Sequence, residues 1–244
     1  MQPLRVELLG VPVDCVDMRK ALDRVDEIIE AGRPEMVIAV NPEKVIKARR
    51  DRRLLSLLPR AGLLIPDGAG VVFAARWLGL GRMERVAGSD LMLAICERSV
   101  VRGYRLFLFG GSPEVNHLAA DALRRRYAHL QIVGQEHGYL QDDQMPELIR
   151  RINASRADVL FVALGSPRQE QWMGRYLNQL DVKVCQGVGG TFDVLAGRIK
   201  RAPLSFRHLH LEWFYRLITQ PSRIIRQTAL PKFAVQVLWK RVIG

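Results

Sequence analysis

Cysteine is scarce and unpatterned. Cys15, Cys96 and Cys185 stand far apart, mostly in apolar company, with no CxxC pair and no Cys/His ligand spacing. That argues against a disulfide scaffold and a structural zinc site, and for a reducing compartment. No uncharged apolar run approaches the ~18 residues of a membrane span, and no basic stretch leading into an apolar segment opens the chain. Any membrane contact is therefore expected to be peripheral. Internal repeats and low-complexity segments are also missing. So are a GxGxxG turn in the first strand–helix unit and a Walker pattern, which weakens dinucleotide and P-loop readings. No DxD pair follows a strand to hold a divalent ion beside a diphosphate. His117, His129, His137, His208 and His210 lack ligand spacing. No metal and no cofactor are expected.

What the chain does have is positive charge and apolar content. Its 244 residues are 48% hydrophobic and 25% charged, enough for one large domain or two small ones, and the formal net charge is +12. A charge of that size favours anionic partners: nucleic acid, nucleotide phosphates or an acidic lipid surface. Charge alone does not choose among them, but RNP, KH and zinc-knuckle signatures are all missing, so nucleic acid is not expected.

Apolar runs alternate with amphipathic stretches along most of the chain. "EMVIAVN", "GLLIPDG", "RLFLFGG", "DVLFVALGS" and "VKVCQGVGG" read as buried strands. "DMRKALDRVDEIIEAG", "SDLMLAICERSVVRG", "SPEVNHLAADALRRRY" and "SPRQEQWMGRYLNQL" read as helices opened by capping residues or proline. This alternation predicts an α/β fold, a Rossmann-like, mostly parallel sheet flanked by helices, over residues 1–199. Ligands of such sheets bind at the carboxyl ends of the strands, where Asn41, Asp67, Gly110, Gly165 and residues 187–190 should gather.

Residues 200–244 read differently. They are rich in arginine and aromatics, have Glu212 as their one acidic residue, and show no strand-like run. They are expected to form a helical appendage broken at Pro221 and Pro231. Arg216, Arg223 and Arg226 can make one cationic face, with Trp213, Phe214, Tyr215 and Trp239 supplying interfacial surface, as in a peripheral membrane anchor. A solvated basic face with its aromatics docked into the core is the plainer alternative. An exposed apolar tail could equally pair with a second copy, leaving a homo-oligomer open.

"FLFGGSPE" and "VALGSPRQE" share a design in which a strand runs through Gly, Ser and Pro into a helix whose first N–H groups can receive phosphate. Each is also ordinary helix-start chemistry. Two such loops in one sheet, with "GVGGTFD" as a third glycine cluster, favour nucleotide binding. Gln169 and Glu170 fall in the first helical turn after "VALGSP", where side chains face the cleft, and Glu170 can simply complement the helix dipole. Asp193 can receive hydrogen bonds from a base or ribose, or cap its own helix. In "LLIPDGAGVVFAAR", Pro66 and Gly68 halt the strand and tip Asp67 out of its end, with residues 70–76 helical beyond it. Such an Asp is a turn residue or a proton acceptor for a sugar hydroxyl.

Together "NPEKV", "PDGAGVV", "RVAGSDL", "LFLFGGSPE", "HGYL", "VALGSPRQE", "GVGGTFDVLAGRIKRAP" and "LEWFYRLITQPSRIIRQ" resemble the WecG/TagA/CpsF family of bacterial glycosyltransferases over almost the whole chain. The resemblance implies a metal-independent, inverting enzyme. It would move a hexose or an N-acetylmannosamine-type sugar from a UDP-sugar to a polyprenyl-diphosphate-linked saccharide in cell-surface polysaccharide or teichoic acid synthesis. It also implies a cytoplasmic protein, held peripherally by its C-terminal appendage at the anionic inner face of the bacterial membrane. The family's base falls on Asp67, its sugar-contacting glutamine on Gln169 and its strand-end asparagine on Asn41, with Arg85 in the same pocket. Gly110, Gly111, Gly165 and Gly189 would line the nucleotide loops, with Tyr139 and Asp193 near the nucleotide. Arg216, Arg223 and Arg226 would close over the diphosphates. Some members carry Thr two residues before the asparagine; Ala39 stands there in this chain, which removes a hydroxyl contact and leaves the donor sugar open. The competing readings are a nucleotide-sugar-binding protein without turnover and a basic RNA-binding Rossmann domain.

Overall fold

The computed structural model describes residues 2–200 and 228–243, with Pro203, Phe206 and Tyr215 between them. Six strands form one parallel sheet: β3 (Glu35–Val40), β4 (Leu63–Pro66), β5 (Arg105–Gly110), β6 (Gln131–Glu136), β7 (Val159–Ala163) and β8 (Val184–Gly187). Their spatial order is β4-β3-β8-β7-β5-β6. Apart from β6, the strands are buried on both faces and read as apolar runs, and the two-residue period divides each between two cores. Ile38, Val40, Leu64, Phe107, Phe109, Leu160 and Val162 face one core. Val37, Leu63, Ile65, Leu106, Leu108, Val159 and Phe161 face the other.

Helices cover both faces. The first core is closed by α2 (Pro42–Ala48), α3 (Arg52–Leu57), α4 (Ala69–Trp77), α7 (Met145–Ala154) and α8 (Arg168–Tyr176). The second is closed by α1 (Met18–Ala31), α5 (Gly88–Arg102), α6 (Pro113–Arg126) and α9 (Thr191–Leu195). The expected α/β architecture is therefore observed. Asp17, Asn41, Asp51 and Ser112 cap α1, α2, α3 and α6 through their side chains, and Gly32 and Gly103 end α1 and α5 in the left-handed conformation.

Two elements lie outside the expected strand set. β6 has no fully buried residue; it is an edge strand with polar side chains, whereas β4 at the other edge is covered by the N-terminal hairpin and stays apolar. At the N-terminus β1 (Arg5–Leu8) and β2 (Val11–Asp14) form a hairpin whose two turn residues, Leu9 and Gly10, both have positive φ. Asp14 docks this hairpin: its buried carboxylate accepts from the Arg5 guanidinium at 2.7 and 2.9 Å and from the Leu64 amide at 2.8 Å.

The last described helix, α10 (Ala229–Ile243), packs against α2 and α4 through Phe233 and Val237. Pro231 does not break it. The proline lies in the first turn, where a backbone N–H has no partner within the helix, so the missing donor costs nothing there. Pro221 lies outside the described residues, as do His208, His210, Trp213, Phe214, Arg216, Arg223 and Arg226. No helix among the described residues is long and apolar enough to cross a membrane.

Candidate active site

A cleft of about 1070 Å³ opens at the carboxyl ends of the strands. Its first wall is assembled by backbone bonds between neighbouring strand ends. Val40 and Pro66 are paired in register, and the Asp67 amide donates to the Val40 carbonyl at 2.8 Å. The Val86 amide donates to the Pro66 carbonyl at 2.9 Å, strapping the segment before α5 across the end of β4. Asn41, Asp67 and Arg85 therefore enter one cleft from three separate stretches of chain, and all three line it. Gly68 sits at φ 98°, a conformation a side chain would resist, and turns the chain directly from Asp67 into α4.

Besides α10, six helices among the described residues begin at this cleft. Two carry side-chain caps: Asn41 Oδ1 accepts from the Lys44 amide at 2.8 Å, and Ser112 Oγ from the Val115 amide at 3.2 Å. The other four start at Gly68, Ala87, Pro167 and Gly190 with no side-chain cap. Their leading residues, including Ala69, Ser89, Arg168 and Thr191, line the cavity. Helix N-termini carry partial positive charge from their aligned peptide dipoles, which favours an anion. The two Gly-Ser-Pro loops thus differ: Ser112 caps its own helix, whereas Ser166, in a cis peptide with Pro167, does not cap α8.

Gly111, Tyr139, Gly165, Gly189 and Asp193 also line the cleft. Tyr139 is 70% exposed at its edge. Asp193 lies in the first turn of α9, and its carbonyl, not its side chain, receives the amides of Arg198 and Ile199. Gly110 falls beneath the lining. At φ +123° it is pressed against β7 so closely that a Cβ would lie 2.5 Å from the Ala163 carbonyl carbon, so it lets two strands approach. Ala39 lines the cavity as a bare methyl.

Gln169 reaches the floor of the cleft but is only 5% exposed. Its Oε1 accepts from the Gly189 amide at 3.0 Å and its Nε2 donates to Glu170 Oε1 at 3.0 Å. Glu170 does more than complement a helix dipole. It is fully buried and pairs with the equally buried Lys44, whose Nζ lies 2.6 Å from Oε1. Sequence reasoning missed Lys44 because its partner is 126 residues away. It missed the apolar wall for the same reason: Phe73 and Trp77 of α4 line the cavity together with Leu230, Phe233, Val237 and Leu238 of α10. Among the described residues no three His, Cys, Asp or Glu side chains are grouped to hold a metal ion.

A parallel α/β sheet with a strand-end cleft, a carboxylate on one wall and helix N-termini around it places the chain among α/β proteins that hold their ligands at the carboxyl ends of the strands. The chain belongs to the WecG/TagA/CpsF family of glycosyl transferases, whose profile matches residues 6–244. It is 34% identical over 210 residues, 86% of this chain and 81% of the relative, to a protein of Bacillus spizizenii named N-acetylglucosaminyldiphosphoundecaprenol N-acetyl-beta-D-mannosaminyltransferase. A Staphylococcus aureus protein of the same name is 33% identical over 235 residues, 96% of this chain and 92% of the relative.

Proposed function

We propose that this glycosyltransferase moves an N-acetylmannosamine-type sugar from a UDP-sugar to an N-acetylglucosaminyl-diphospho-polyprenol, in cell-surface polysaccharide or teichoic acid synthesis. The acceptor and the transferred sugar are carried over from the names of the relatives. The single observation that supports the chemistry is that Asp67 shares its cleft with four helix N-termini lacking side-chain caps.

Asp67 takes the proton of an acceptor hydroxyl, and the resulting oxygen forms a bond to the anomeric carbon. The bond from that carbon to the diphosphate oxygen breaks, and UDP leaves with the electron pair. One displacement inverts the centre, which matches the β linkage in the relatives' names when the donor is α-linked. The helix N-termini and Arg85 face the charge that grows on the departing diphosphate. Arg216, Arg223 and Arg226 are further cations by family resemblance. The apolar wall, with Phe73 and Trp77 65% and 46% exposed and Leu238 and Trp239 exposed on α10, suits an acceptor presented from a membrane surface.

The test is a panel of UDP-sugars with a synthetic N-acetylglucosaminyl-diphospho-lipid, following UDP release and the new glycolipid together. Transfer from UDP-N-acetylmannosamine is the expected result. Tight UDP-sugar binding without transfer would make the protein a nucleotide-sugar binder. Transfer of a hexose alone would leave the mechanism standing and overturn the donor.

A further inference from the structure

The Lys44–Glu170 pair is an expensive feature to bury. Lys44 is 4% exposed and Glu170 fully enclosed, and Glu170 Oε2 has no hydrogen-bond partner among the described residues. A buried ion pair with an unsatisfied oxygen is a poor way to stabilise a fold, since apolar side chains of similar volume commonly do as well or better. Its geometry suggests another role.

The pair lies in a run of four hydrogen bonds, two of which are joined through the length of the Lys44 side chain. Asn41 Oδ1 holds the Lys44 backbone, the Lys44 ammonium holds Glu170, Glu170 holds the Gln169 amide nitrogen, and Gln169 Oε1 holds the Gly189 amide. These residues follow β3, β7 and β8, which are neighbours in the sheet, so the run ties three strand ends across the floor of the cleft. Glu170 decides how Gln169 is turned. An ionised carboxylate only accepts, so it draws Nε2 towards itself and leaves Oε1 for Gly189. Gly187 makes room for this reach, because a Cβ there would lie 2.5 Å from Gln169 Nε2.

We propose that Glu170 is a positioning residue. Neutralised by Lys44, it locks the Gln169 amide in the one orientation that clamps residues 187–190 against the cleft. On this account Gln169 acts through the loop it holds. The inference rests on the transferase function proposed above for its kinetic part, whereas the clamp itself has a readout independent of turnover.

The experiment compares two neutral double variants of the full chain, chosen so that neither leaves a bare buried charge. Lys44→Met/Glu170→Gln keeps an oxygen at position 170 to accept from Gln169 Nε2; Lys44→Met/Glu170→Leu does not. Both are expected to fold, with melting temperatures close to one another. Amide hydrogen exchange over residues 187–191 should stay slow in the Gln variant and rise about tenfold or more in the Leu variant. With the donor sugar established for the parent, kcat should fall roughly 10- to 10²-fold in the Leu variant with a smaller change in donor KM, and recover largely in the Gln variant. A merely stabilising pair would make the two variants equal. Equal loop exchange in two folded variants overturns the inference whatever the kinetics show. If the parent transfers no sugar, the functional proposal falls while the exchange comparison still decides the clamp.

Discussion

The amide of Asp67 donates to the carbonyl of Val40 at 2.8 Å, so the carboxylate leaves β4 beside the point at which Asn41 leaves β3. Parallel pairing thereby converts two residues 26 positions apart in the chain into neighbours on one cleft wall. The proposed chemistry depends on that adjacency.

Replacing Asp67 by Asn keeps the shape and the backbone bond but removes the proton acceptor. Turnover should fall by about 10²–10⁴, the usual worth of a general base, while UDP binding by calorimetry stays within a few-fold of the parent. An Asp67→Asn protein with parental turnover would assign the base elsewhere.

If helix N-termini and arginines meet the leaving diphosphate, a divalent ion has no part to play. Sugar transfer should then proceed at the same rate in excess EDTA as in magnesium or manganese. A rate that collapses with chelator and returns with added metal would overturn metal independence.

The exposed aromatics of α4 stack, with the Phe73 and Trp77 ring centroids 6.0 Å apart at the mouth of the cleft. Changing both to Ser should lower binding to anionic vesicles by about tenfold or more, from the apolar area no longer buried. UDP affinity in solution should not change. Unaltered co-sedimentation would remove this wall from any membrane contact.

Gly110→Ala should be a stability variant. It combines a positive φ with a Cβ set 2.5 Å from the β7 backbone, and the strand cannot retreat without breaking the β5–β7 ladder. A loss of about 3 kcal/mol or more in urea unfolding is expected. A parental midpoint would show that the two strands can separate without cost.

Burial pushes the Cys96 thiol up to about 12, and raises Cys185 as well. In the unfolded chain both thiols ionise near pH 9, while the fold keeps them protonated. The unfolded state then binds fewer protons, so stability is complete below about pH 9 and declines as pH rises towards 12, by about 1.4 kcal/mol per pH unit for each thiol. Thermal melts between about pH 8 and pH 10.5 should show the decline beginning near 9. A flat profile would mean that the thiols are not shielded in this way.

The strand-end part of the cleft is legible in the sequence because its signals are local. Strand-ending Gly, Asp and Asn after apolar runs marked Asn41, Asp67, Gly165 and Gly189 as cleft residues, since turn chemistry is written within a few positions. β6 was hidden by its polarity as an edge strand, and the β1–β2 hairpin by a Leu-Gly turn lacking the usual Asn-Gly or Asp-Gly signature. Pro231 misled because the same residue opens a helix or breaks one according to where the helix starts.

By itself, then, the sequence determined the alternation of strands and helices, the strand-end punctuation, the excess of positive charge and the Asp that follows β4. All of these arise from periodicity and backbone preference over short spans. Only the tertiary structure decided the order β4-β3-β8-β7-β5-β6, the burial of Lys44 against Glu170, the orientation of the Gln169 amide and the docking of α10 on α2 and α4. Each joins segments tens of residues or more apart, and which of the possible pairings forms is set by packing and desolvation in the closed molecule, not by any short stretch of chain.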